Sequence, residues 1–147
     1  MILPLPVPPP PWEWPLPAPV RVVRAFAPPA APWLPGHRGV DLAARPGLPV
    51  RAPAAGRVVF ARDLAGRGVI TITHGPLRTT YEPVVPAVPQ GAAVAAGDVI
   101  GTVQRVRTHC FPGTCLHWGL RRDTAYLDPL ALLALPRIRL LPRWTGP

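Results

Sequence analysis

Proline is the residue that most constrains how this chain can fold. The sequence has 25 prolines in 147 residues, and each one removes a backbone N–H and disfavours a helix interior. Between the prolines and glycines lie short runs rich in Val, Ile, Thr and Tyr, which recur roughly every 8 to 12 residues, as in sandwiches and barrels. This pattern predicts an all-β fold, a compact antiparallel sandwich or barrel.

The N-terminal region is especially rich in proline, and it predicts extended, polyproline-like chain. We expect residues 1–32 to form an arm that wraps or trails the domain, with Trp12, Trp14 and Phe26 as possible anchors. The domain itself is predicted over residues 33–135, followed by a tail at 136–147.

The only helix that we predict is short and near the C-terminus. Asp128 is a good N-cap residue, and Pro129 suits the first helical position. The helix is expected to run to about Ala134, before Pro136.

The first residues do not make a convincing signal peptide, because they lack a basic region and prolines interrupt the apolar run. The chain also has no run of about 18 apolar residues free of proline and charge, so we predict no transmembrane helix.

The composition excludes several kinds of activity. The sequence has no Lys, Ser or Asn, which rules out a serine hydrolase, a phosphate-binding lysine and attachment of biotin or lipoate. Its net charge is +9, and arginine is the only basic residue besides histidine. Such a charge favours binding to polyanions such as acidic cell-wall polymers. The alternative is that the scattered arginines reflect the codon bias of a GC-rich genome. No recognition helix or RNA-binding signature is present, so we expect no nucleic-acid partner.

Three residues make a candidate zinc site. His37 and Asp41 lie four residues apart, and His117 lies in a predicted strand. Two imidazoles and one carboxylate suit a catalytic zinc ion, because three protein ligands leave the fourth tetrahedral position for a water. Side chains two apart on a strand share a face, so His117 is predicted to lie on the same face as Cys115 and opposite the core residues Leu116 and Trp118.

The segments around these residues resemble the lysostaphin-type zinc endopeptidases, which cut peptidoglycan cross-bridges. Pro35–Ala43 and Leu116–Leu120 are similar to the family's two metal-binding segments, and the hairpins between them occur in the family's order. The resemblance covers Trp33 to Leu133. It implies that the fold is the family's and that His37, Asp41 and His117 bind zinc.

Two positions depart from the family pattern, which has a Tyr-x-His and a His-x-His motif. Here the first motif is Tyr81-Glu82-Pro83 and the second is Cys115-Leu116-His117. By the resemblance, the two missing histidines would orient the attacking water and stabilise the oxyanion. Zinc binding therefore carries over residue by residue, while proteolysis does not carry over cleanly.

Other groups are candidates for the missing help. His109, in the irregular segment around Thr108–Pro112, and Tyr81 are our candidate catalytic residues, with a second water as the alternative. For His74 we favour a structural role, because it continues the inward alternation of Ile70 and Ile72 at a hairpin corner.

Cys110 and Cys115 are separated by Phe-Pro-Gly-Thr. A turn at Pro-Gly can bring their α-carbons within disulfide range, and such a bridge suits an oxidising, extracytoplasmic compartment. The alternative is a free Cys115 thiolate that acts as a fourth zinc ligand and closes the site.

Two functions remain open. The first is a zinc-dependent endopeptidase, secreted or associated with the cell envelope, that acts on peptidoglycan as a monomer. The second is a non-catalytic module that kept the fold and binds the cell wall or regulates a partner enzyme.

Overall fold

The structure, a computed structural model, describes residues 12–27 and 36–133. Eleven strands and one short 3₁₀ helix make up its regular elements. The strands are β1 (Val22–Arg24), β2 (Gly39–Ala44), β3 (Pro49–Arg51), β4 (Gly56–Leu64), β5 (Arg67–His74), β6 (Leu77–Glu82), β7 (Val84–Pro86), β8 (Ala93–Val94), β9 (Val99–Val103), β10 (Thr114–Arg122) and β11 (Ala125–Leu127).

The strands form two antiparallel sheets. The larger has the order β1-β2-β10-β6-β5-β4-β8, with β11 paired to β10, and the smaller has the order β3-β9-β7. Alternate residues of the larger sheet face the core, as Ile70 and Ile72 do on β5. They share one buried cluster with Val50 and Ile100 of the smaller sheet. The prediction of an all-β antiparallel fold is confirmed.

Residues 12–27 pack on this core. Leu16 is 4% exposed and belongs to the buried cluster. The ring of Trp14 lies 6.3 Å from that of Trp118, and β1 pairs with β2 in the larger sheet. This part of the predicted arm therefore wraps the domain, with Trp14 and Phe26 packed against its core.

The C-terminal helix is shorter than predicted. It is a single 3₁₀ turn over Pro129–Leu132, and the Asp128 carboxylate caps it by accepting from the backbone N–H of Leu130. The backbone leaves the helix at Leu133, which has an extended conformation, and the buried side chain of Leu133 packs in the core. Ala134 and the predicted tail at 136–147 lie outside the described residues, as do residues 1–11. Within the described ranges, no helix is long and apolar enough to cross a membrane.

Leu16→Ala tests how much the N-terminal segment contributes to stability. Truncating a buried leucine removes apolar contacts and leaves a cavity, so we expect a loss of about 2–5 kcal/mol in the free energy of unfolding. Denaturant unfolding measures it, with Val23→Ala on the exposed side of β1 as the control. Equal, small effects of both changes would show that this segment does not stabilise the core.

Candidate metal centre

The pairing of β2 with β10 builds the centre. In this antiparallel register Asp41 lies directly opposite His117. His37 precedes β2, where its backbone N–H and C=O both pair with Ala27. Asp41 is fully buried and His37 is 6% exposed, while the His117 side chain is 25% exposed. The predicted trio thus forms a largely buried cluster with one side open.

The ligand atoms of the trio converge. Asp41 Oδ1 lies 2.9 Å from His117 Nδ1 and 3.2 Å from His37 Nε2. The two imidazole rings stand nearly edge to face, with centroids 5.1 Å apart. One donor atom from each residue lies within 4.8 Å of the others. One cation can therefore contact all three side chains.

The hydrogen bonds of His37 fix which nitrogen faces the centre. Its Nδ1 lies 3.0 Å from the carbonyl oxygen of Ala25, which can only accept, so Nδ1 carries the proton and donates. Nε2 then presents a lone pair, and this buried atom has no hydrogen-bond partner. A buried acceptor without a partner is costly, but it is the form in which histidine binds a metal. This residue set fits a metal ion.

Gly39 leaves room for the His117 ring. A β-carbon at position 39 would lie 2.8 Å from His117 Nε2 and 2.5 Å from the backbone oxygen of Trp118. Both contacts are too close for any other residue. Glycine at this position is therefore required by the packing of the centre.

Hydrogen bonds from two histidines hold Asp41 in its ionised form. Burial by itself raises the pKa of the carboxyl, but the hydrogen bonds from His117 and His109 outweigh this effect and lower the pKa to about 2. The carboxylate is therefore charged at neutral pH, as a metal ligand must be.

His109 also reaches this centre. Its Nε2 contacts the second carboxylate oxygen of Asp41, while about half of its side chain is exposed. The structure thus brings the predicted helper together with the predicted ligands.

A disulfide holds the segment that carries His109. Cys110 and Cys115 are bonded, with their α-carbons 5.9 Å apart, which confirms the predicted bridge. The alternative of a free Cys115 thiolate as a fourth ligand does not apply to this state. The Thr108 hydroxyl accepts a hydrogen bond from the Cys110 N–H, so His109 sits between two fixed neighbours.

A cleft of about 240 Å³ opens onto the centre. The metal-site histidines and His109 line it, together with Glu82, Pro83 and Cys115. The positions of both missing family histidines thus border the cleft, and neither of the residues now there carries an imidazole.

Tyr81 does not fit the catalytic role that we predicted for it. On β6 it pairs with Trp118 and not with His117, so its side chain lies on the core face and is fully buried. Its hydroxyl donates to Thr79 Oγ1, and burial raises its pKa far above the ordinary value. The register that places Asp41 beside His117 keeps Tyr81 away from the cleft.

Glu82 is the residue that sequence reasoning undervalued. Alternation along β6 places its side chain on the face opposite to that of Tyr81, away from the core. However, Glu82 pairs directly with His117 and lines the cleft, 4.0 Å from the guanidinium of Arg67. Strand alternation combined with the β6–β10 register would have found it.

His74 has the structural role that we favoured. Its Nδ1 donates to the Ala55 carbonyl, and its Nε2 accepts from Thr79 Oγ1, each at 2.8 Å. Thr79 in turn accepts from Tyr81. This chain of hydrogen bonds satisfies the buried polar groups beneath β6, and it requires a neutral His74.

The stability of the protein should therefore depend on pH through His74. Burial lowers the pKa of this imidazole below 6.5, so the unfolded chain takes up the proton first. The resulting stability is present above about pH 6.5 and is lost as the pH falls through the folded pKa.

We expect wild type to lose more stability between pH 7.5 and 5.5 than His74→Gln does. Denaturant unfolding gives the free energy of unfolding of each protein at the two pH values. Subtracting the pH-dependent change of the variant from that of wild type removes the contribution of the other histidines. A parallel decline in both proteins would contradict the assignment.

Comparison with known proteins identifies the class of molecule to which this fold and centre belong. The family model described as Peptidase family M23 matches residues 35–129. The chain belongs to peptidase family M23, in agreement with the lysostaphin-type resemblance.

A relative in Mycobacterium tuberculosis, the uncharacterized protein Rv2891, is 50% identical over 126 residues. The match covers 82% of this chain and 51% of the relative. The chain thus spans about half the length of the curated relatives that it matches.

Solved structures share the fold. A chain in the crystal structure of the SpoIIIAH and SpoIIQ complex has a TM-score of 0.69 at 25% identity, covering 83% of this chain and 99% of that one. Lysostaphin has a TM-score of 0.63 at 24% identity over 76% and 49% of the two chains. A zinc-containing peptidase from Vibrio cholerae has 0.66 at 22% identity over 81% and 39%.

Proposed function

We propose that the protein is a zinc-dependent endopeptidase that hydrolyses peptide cross-links of bacterial cell-wall peptidoglycan. The observation that carries the proposal is the buried Nε2 of His37, which has no hydrogen-bond partner. It lies 3.2 Å from Asp41 Oδ1, and His37 and His117 both line an open cleft. Membership of family M23 supports the reaction class.

The ligand set suits zinc, which binds imidazole nitrogen and carboxylate oxygen in tetrahedral sites. His37, Asp41 and His117 would hold the ion. When bound there, zinc lowers the pKa of a water and polarises the scissile carbonyl. The zinc-containing peptidase of Vibrio cholerae, which shares the fold, supports this choice of metal.

His109 is the group that we assign to proton transfer. It lies at the cleft, partly exposed, with Nε2 beside Asp41. An imidazole in this position can accept a proton from the attacking water and pass it to the leaving amine. Glu82 borders the same cleft and is the second candidate. With both family helper histidines replaced, we infer a slow enzyme.

The disulfide supports an extracytoplasmic site of action. Disulfides form and persist in oxidising compartments and are rare in the cytosol, and the Cys110–Cys115 bridge holds the segment that carries His109. Peptidoglycan, the proposed substrate, lies outside the cytoplasm as well.

A second function is a non-catalytic module that binds a partner or the cell wall. The replacement of both helper histidines by Pro83 and Cys115 favours it, because neither residue can act as an imidazole. A fold neighbour, the SpoIIIAH and SpoIIQ complex, is an assembly of two proteins, which supports partner binding as the alternative.

One zinc ion per chain is the first expectation. Elemental analysis after incubation with zinc and desalting should give about one ion per chain in wild type. His117→Ala should lose most of it, because the change removes one of the three proposed ligands. His74→Gln is the matched control, a histidine change outside the centre. Folded wild type that stays metal-free would overturn the zinc site.

Hydrolysis should depend on His109. With purified peptidoglycan and zinc-loaded protein, His109→Gln is expected to lower turnover by about 10²- to 10⁴-fold, the usual cost of losing a general acid or base. Release of new amino groups measures turnover, and zinc content in the same samples separates lost chemistry from lost metal. Glu82→Gln, at the other side of the cleft, tests the second candidate.

The reciprocal experiment restores the family histidines. In a Cys110→Ala background, which accounts for loss of the bridge, Pro83→His with Cys115→His should raise turnover. Zinc-loaded protein that releases nothing, even with both histidines restored, would reject the enzyme and support the non-catalytic module.

A further inference from the structure

A second concave region adjoins the metal centre and differs from it in charge. This arginine groove has a volume of about 340 Å³ and shares His117 and Glu82 with the centre. Its other lining residues include Arg38, Arg78 and Arg121. Three guanidinium groups and one carboxylate give the groove a net positive charge.

Two of these arginines lie opposite each other in the sheet. The register pairs Arg78 of β6 with Arg121 of β10. Alternation places Arg78 on the same face as Glu82, and Arg121 on the same face as His117. Like charges directly opposite each other destabilise a sheet, so the fold gains nothing from this pair.

Within residues 12–27 and 36–133, no carboxylate lies within 4.0 Å of Arg78 or Arg121. The nearby Glu82 contacts Arg67 instead, at 4.0 Å. Glu82 itself pairs in register with His117, four residues from Arg78. Two adjacent guanidinium groups without an anion are suited to bind one from outside, since arginine forms paired hydrogen bonds with carboxylates.

The lining of the groove extends along β10 from the candidate metal centre to the arginine pair. Gly119 and Thr80, which pair in register, line it between these two ends. Tyr126 of β11 forms part of the wall, and the guanidinium of Arg38 lies 5.2 Å from its ring centroid. Four residues of strand separate Arg121 from His117, which is about 13 Å. An extended peptide spans this distance with about four residues.

We propose that the arginine groove binds a peptide carrying a carboxylate about three or four residues from the bond that lies at the metal centre. Arg78 and Arg121 would hold this carboxylate together. The inference rests on the proposed function in that the peptide is its substrate, and it adds a preference for acidic peptides. In this arrangement Arg78 and Arg121 select the substrate. They take no part in the chemical step, because they lie away from the reacting atoms.

Binding tests this proposal independently of hydrolysis. The probes are two alanine-rich hexapeptides with a neutral fluorophore and an amidated C-terminus, one containing a single Glu and the other Gln at the same position. Fluorescence anisotropy with the full chain, before and after addition of zinc, gives the two affinities. We expect the Glu peptide to bind about tenfold more tightly, the usual value of a charged hydrogen-bonded contact.

Arg78→Gln and Arg121→Gln should each remove most of this difference between the peptides. Arg122→Gln is the matched control, because it removes the same charge from the neighbouring residue on the other face of β10. Both groove variants should also melt at the same temperature as wild type or higher, since the repulsion between the two guanidinium groups is gone.

Three other results would change the proposal. Equal affinity for the two peptides, or an equal effect of Arg122→Gln, would overturn the site and leave only a general attraction to negative charge. Binding of poly(glycerol phosphate) that depends on Arg78, without preference for the Glu peptide, would reject the peptide in favour of a phosphate polymer. Selective binding by a protein that releases nothing from peptidoglycan, even with both histidines restored, would retain the groove and reject the proposed enzyme.

Discussion

The functional architecture depends on the register between β2 and β10. That one antiparallel pairing sets Asp41 opposite His117, and the pairing of β10 with β6 then brings Glu82 to the other side of His117. Because side chains alternate along a strand, the same register sends Trp118 and Tyr81 into the core. A shift by one residue would exchange the two sets. The candidate metal centre and the hydrophobic core are therefore two consequences of a single alignment.

Much of the architecture could be predicted from the sequence, and the reasons are local. Short Val- and Ile-rich runs bounded by glycine and proline predicted the antiparallel strands, and Asp128 with Pro129 predicted the capped turn. The likeness of the segments around His37 and His117 to a known family predicted the ligand set, and the structure brings those residues together. The Cys-Phe-Pro-Gly-Thr-Cys spacing predicted the bridge.

The predictions that were wrong depended on contacts between segments that are distant in sequence. Tyr81 was proposed as a helper because it belongs to a family motif, but a motif does not say which partner strand lies beside each residue. Only the β6–β10 register shows that Tyr81 lies opposite Trp118 and that Arg78 lies opposite Arg121. The helix end was missed for a similar reason, since burial of Leu133 ends the turn earlier than local propensity suggests.

The hydrogen bond between His37 Nδ1 and the Ala25 carbonyl has a consequence for where this domain begins. Ala25 lies ten residues before the first residue matched by the family model, yet its carbonyl fixes the tautomer and direction of a proposed ligand. A fragment cut at the family boundary would keep all three ligands and lose the outer contact that orients one of them. The unit that would hold the candidate metal centre is thus longer than the segment that the family model matches, because a residue outside that segment orients one of the proposed ligands.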